Sequence, residues 1–145
     1  MKRLFCLLLI LCFLPAFAVA FDPDFFSFCG YAYSIGNIDF DDSQKSVAED
    51  MTVYQTKTGY VGFRYASDVL QSISVYGMGD ELLIYAFAAI CTVEGSASNI
   101  NDNFSVFLRH YFKAHAGGEQ IGTTNGGCVF SVRPYENGYM FVINR

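Results

Sequence analysis

The stretch Leu82–Val93, LLIYAFAAICTV, is the longest apolar run outside the N-terminus and is broken only by Thr92. Left exposed, it would be a large apolar patch in water, so it belongs in the middle of the fold. Its secondary structure decides the architecture. Ile84, Tyr85, Ile90, Thr92 and Val93 favour a strand, and the alternating run before it, Val69–Tyr76, needs a partner across the Gly77–Asp80 turn. Apolar side chains at nearly every position then describe a central strand covered on both faces. The rival is a helix capped by Asp80 and favoured by Ala86, Ala88 and Ala89. The strand fits its neighbours better.

Upstream of this run the pattern is that of strands. MTVYQTK and YVGFRYA flank Thr58-Gly59, a plausible tight hairpin turn. In the second of these, Val61, Phe63 and Tyr65 alternate with Gly62 and Arg64, which marks a half-buried strand. With Val69–Tyr76 and the central run, four strands joined by short turns make an antiparallel meander. Before them, Phe21–Phe28 reads as irregular aromatic chain and Cys29–Ile35 as a short strand. Asn37–Asp50 is the most polar segment and reads as a long loop or short helix.

Downstream, Ile100, Phe104, Phe107, Leu108, Tyr111 and His115 recur at helical spacing, which predicts an amphipathic helix over about Asp102–Ala116. Asp102 near its start and Lys113 and His115 near its end suit the helix dipole, and Gly117-Gly118 stops it. Glu119–Gly127 reads as a loop. CVFSVRPY and YMFVINR then form a terminal hairpin, with Asn137-Gly138 supporting a type I′ turn. The expected fold is α+β: an antiparallel sheet of about five to seven strands with one helix packed on one face, in the order strands, helix, hairpin.

The first twenty residues, MKRLFCLLLILCFLPAFAVA, have the form of a secretory signal peptide. Lys2 and Arg3 precede an apolar core, Leu4–Leu14, and Pro15 leads into the small-x-small sites 16–18 and 18–20. The apolar core is too short to span a bilayer, which takes roughly 20 residues. Cleavage after Ala20 is the expected outcome, leaving residues 21–145 as one domain outside the cytoplasm: secreted, periplasmic or on the cell surface. All fourteen acidic residues lie beyond residue 20, while Lys2 and Arg3 are lost, so the net charge moves from −5 to −7. With no basic cluster, neither nucleic acid nor an anionic membrane surface is an expected partner.

Three cysteines remain beyond residue 20: Cys29, Cys91 and Cys128. In an oxidising compartment an odd number leaves at most one internal disulfide, and Cys91–Cys128 is the candidate pair. No C-x-x-C signals zinc or redox chemistry. The two histidines, His110 and His115, are five apart on the predicted helix and point about 140° apart, which suits no shared metal.

No residue is singled out as catalytic or cofactor-binding. Asp39, Asp41, Ser43, Lys45 and Asp50 fall at positions 1, 3, 5, 7 and 12 of a calcium loop. Gln44 stands in place of the turn glycine, however, and Asp50 in place of the bidentate Glu. The carboxylate groups noted in predicted loops are Asp39/Asp41/Asp42 and Asp80/Glu81. Asn103-Phe104-Ser105 matches a glycosylation sequon. The ten tyrosines would mark a binding surface if they clustered in the open, but read more simply as the edges of a small core. The expected function is non-catalytic binding of a protein or glycan outside the cytoplasm. The alternatives are a small hydrolase using Cys128 or Cys91 with His115, or loop carboxylates, and a calcium-stabilised domain using Asp39, Asp41 and Asp50.

Overall fold

The computed structural model describes residues 22–40, 45–48 and 50–145. The signal segment with Ala20, and Asp41, Asp42 and Ser43 of the acidic segment, lie outside the described residues. Among the described residues the chain is α+β, with one seven-stranded antiparallel sheet and three helices. In chain order these are α1 (Pro23–Gly36), β1 (Lys45–Ala48), β2 (Met51–Gln55), β3 (Tyr60–Ala66) and β4 (Val69–Gly77). There follow α2 (Gly79–Glu94), α3 (Ile100–His115), β5 (Gln120–Thr123), β6 (Val129–Tyr135) and β7 (Gly138–Asn144). The strand order is β1-β2-β3-β4-β7-β6-β5, so two meanders meet at a β4–β7 seam.

The central run is therefore a helix and not a strand. Val69–Gly77 finds its partner in β7, with Ile73 opposite Ile143 and Val75 opposite Phe141. All ten residues from Leu82 and Tyr85 to Val93 that are buried lie on α2, whose neighbours are α1, α3, β4 and β7. A helix enclosed on so many sides needs no polar face, which removes the 3.6-residue period that would have identified it. Its ends carry ordinary helix punctuation. Asp80 and Glu81 sit in the first turn, and Gly95 at φ 68° closes the last, its amide reaching Thr92 O and that of Ser96 reaching Cys91 O.

The segment 23–36 is also helical, against the expectation of irregular chain followed by a strand. Asp22 caps α1: one carboxylate oxygen accepts from the amides of Asp24 (3.1 Å) and Phe25 (3.0 Å), and Pro23 occupies the first turn. Phe28 and Ala32 on its inner face are fully buried. The acidic segment contributes β1, an edge strand, and the loop after α3 contributes β5, the opposite edge. Gly122 in β5 leaves room for the Phe130 ring, which a Cβ would approach to 2.4 Å.

The α3 helix and the hairpins β2–β3, β3–β4 and β6–β7 match the expected pattern. Their turns differ in detail. Ser67 (φ 50°) and Asp68 (φ 62°) both take the left-handed region between Ala66 and Val69, the geometry expected of Asn137-Gly138. In the last hairpin Tyr135 pairs with Gly138, and Glu136 (φ 51°) makes the bend. Gly138 is needed for a different reason: a Cβ there would lie 2.4 Å from Gly77 O.

The helices cover one face of the sheet, towards which Val61, Phe63, Ile73, Val75, Phe130, Val132, Phe141 and Ile143 are buried. Two aromatic clusters fill the interface. Phe25, Phe28, Phe40, Tyr54, Phe63 and Tyr85 pack under α1, with Phe28 edge-on to Phe63 at 5.3 Å. Phe107 packs edge-on to Phe141 at 5.2 Å under α3. Each such ring withdraws on the order of 2–3 kcal/mol worth of apolar surface from water.

Candidate functional site

A cavity of about 730 Å³ opens between residues 36–40 at the end of α1, the β2–β3 turn and the first two turns of α2. That volume lies within the range of small-molecule sites, roughly 300–1,000 Å³. Its floor is apolar: Ile38, Phe40, Met78, Ile84 and Tyr85. Its rim carries Asp39, Asp80, Glu81 and Lys57. Two features of the chain make the space. Gly36 lets the end of α1 run against Ile84, which a Cβ would meet at 2.5 Å. Gly59 lets the β2–β3 turn lie on β4, where a Cβ would fall 2.0 Å from Tyr76 O.

Glu81 fixes the wall. One of its carboxylate oxygens accepts from the Thr58 amide (2.9 Å) and from the Thr58 hydroxyl. The other accepts from the Tyr85 hydroxyl at 3.4 Å, one helical turn on. The same Thr58 oxygen accepts from the Met78 amide at 3.3 Å, so the turn, the helix start and the cavity floor are tied together. Within the turn, Thr56 and Gly59 exchange hydrogen bonds of 2.9 and 3.0 Å. Burial and the adjacent Glu81 charge push the Tyr85 hydroxyl far above the usual tyrosine range. It stays a neutral donor. The wall is thus preorganised, and Glu81 has a structural duty.

The structure brings together two of the carboxylate groups noted in the sequence, Asp39 and Asp80/Glu81, on one rim. Of the candidate calcium loop, Asp41 lies outside the described residues, Lys45–Ala48 forms β1, and Asp50 after it pairs with Arg64 at 3.3 Å. Among the described residues no group of three or more His, Cys, Asp or Glu is placed to hold a metal ion.

Among the described residues no bond joins Cys91 to Cys128. Cys91 is buried on α2, and desolvation, with the nearby Glu94 charge, pushes its thiol up to about 11. Burial also raises Cys128, which precedes β6 and whose amide donates to the Thr124 hydroxyl at 3.1 Å. His115 stacks on Tyr139 (4.6 Å, 8°) with Nδ1 3.3 Å from Tyr111 O, and His110 Nδ1 lies 2.8 Å from Val106 O. These contacts hold both rings to α3. The sequon residue Asn103 is only 2% exposed. Its amide nitrogen donates to Glu94 (2.7 Å), and its amide oxygen accepts from Asn125 N (2.8 Å).

Three tyrosines, Tyr60, Tyr76 and Tyr135, form a row on the sheet face away from the helices, at centroid spacings of 5.6 and 5.5 Å. Their rings are inclined at 43° and 82°, so they offer no common plane for a sugar ring. Tyr54 and Tyr85 are buried in the core.

Thr58, Phe40, Ile84 and Tyr85 escaped the sequence reading as site residues. The i, i+4 spacing of Glu81 and Tyr85 was the available signal, and it has meaning only on a helix. The fold and site define an α+β domain with an acidic, apolar-floored cavity beside its sheet. Comparison of the chain with protein-family models, curated proteins and solved structures finds no match in any of the three. None of the described helices is long and apolar enough to cross a membrane.

Proposed function

We propose that the chain is an exported, non-catalytic binding module that receives a small ligand, or a small part of a larger one, in the cavity between α1, the β2–β3 turn and α2. The observation that carries this reading is an apolar floor of ligand size behind a wall held by Glu81 and Thr58. Such a wall lowers the ordering cost of binding. Export rests on the N-terminal segment, with its charged start, short apolar core and small residues before Phe21. A protein or glycan partner outside the cytoplasm is the wider context of this reading.

A fragment screen read by amide chemical shifts tests it. Hits are expected to move the amides of Thr56–Thr58 and Gly79–Tyr85. Ile84→Trp, which fills the floor, is expected to abolish them while the circular dichroism of the fold is kept. Hits that move only Tyr60, Tyr76 and Tyr135 would transfer the function to the open sheet face.

A further inference from the structure

We infer that the cavity selects a low-molecular-weight organic cation, an amine or guanidinium on an apolar body. This rests on the cavity being the binding site and adds the chemical class of what enters it. The rim sets three carboxylates, Asp39, Asp80 and Glu81, against one ammonium, Lys57. The N-terminus of α2 opens beside them and offers the equivalent of about half a positive charge. The balance at the mouth remains negative.

Glu81 is occupied by Thr58 and Tyr85, so it contributes charge without being free to reorient. Asp39 and Asp80 are exposed and free of that clamp, and they are the groups placed to meet a ligand ammonium. Below them lies the half-buried Phe40 ring, edge to face at 5.4 Å and 84° with the buried Tyr85 ring behind it. Aromatic faces attract cations and shelter an apolar body alike. An anion entering here would meet three like charges before reaching any apolar surface. A neutral apolar molecule would partly cover rim carboxylates and give them no partner.

The test titrates the purified protein at low salt with three probes of one shape: 2-phenylethylamine, 2-phenylethanol and phenylacetate. Binding is followed at the amides of Thr58, Ile84 and Tyr85. The amine is expected to bind more tightly than the alcohol, and phenylacetate not at all. The double variant Asp39→Asn/Asp80→Asn, altered only at exposed positions, is expected to weaken amine binding about five-fold, the scale of two exposed ion pairs. It should leave alcohol binding unchanged. Equal binding of amine and alcohol, or an amine affinity indifferent to the double variant, overturns the cation while leaving the cavity as a site. If Ile84→Trp leaves amine binding intact, the cavity itself is wrong.

Discussion

Asp22 and Tyr65 are joined by a hydrogen bond of 2.5 Å, in which the hydroxyl on β3 donates to the carboxylate that caps α1. The first helix is thereby tied to the sheet through its cap. Burial first, and the Asp22 bond second, hold the Tyr65 proton well above the usual tyrosine range. Tyr65→Phe should cost about 1–2 kcal/mol at pH 7, read by urea denaturation. Once it is made, Asp22→Ala should cost only the loss of the cap, about 1 kcal/mol. Strict additivity of the two changes would show that the pair is not coupled.

Asn103 joins the end of α2, through Glu94, to the β5–β6 connection, through Asn125. The amide is buried and both of its ends are used, so Asn103→Ala should destabilise the fold by about 2–3 kcal/mol. Ser105→Ala destroys the same sequon from an exposed position and should change stability by less than about 0.5 kcal/mol. Thermal unfolding of the two variants decides whether the sequon serves as an attachment site or as a structural latch.

Cys91 gives a pH signature. Its thiol is raised from 9.0 to about 11 in the folded state, so folded protein holds a proton that unfolded chain releases first. The resulting stability is complete below about pH 9 and is lost as pH rises to about 11, amounting to of order 2 kcal/mol. Cys91→Ala should flatten that part of the stability curve, at the cost of a small cavity at neutral pH. Alkylation at pH 8 should modify Cys91 only after denaturant is added. Rapid labelling of Cys91 in the native protein would contradict its burial.

The Ser67-Asp68 turn holds two ordinary residues at positive φ. Asparagine and glycine adopt that geometry at less cost. Ser67→Asn with Asp68→Gly should raise stability by about 0.5–1 kcal/mol, measured as a shift in the denaturation midpoint. The same pair of residues placed at Thr58-Gly59 should give no gain, because Thr58 is needed by Glu81.

What could be read in the sequence was whatever repeats locally. β2, β3, β4, β6 and β7 alternate because one face of each is covered and the other open, and α3 shows its stripe because one side meets β5 and β6. α2 concealed its period by being enclosed on nearly all sides. α1 announced itself in Asp22-Pro23-Asp24, a cap followed by a first-turn proline, but Tyr31, Tyr33 and Ile35 imitate strand alternation. The carboxylates of the site were visible as Asp39 and Asp80/Glu81. The cavity was not, because its wall is made by contacts such as Thr58 to Glu81, 23 positions apart.

The β4–β7 seam has a kinetic consequence. Every other pairing among the described strands joins neighbours in sequence, whereas Ile73 must find Ile143, seventy positions on, with two helices threaded between. Chain-entropy cost rises with that separation and is met only when the contact forms. Each meander can assemble on its own timescale, and the rate at which the whole domain closes is set by how fast the two halves find register along one shared edge.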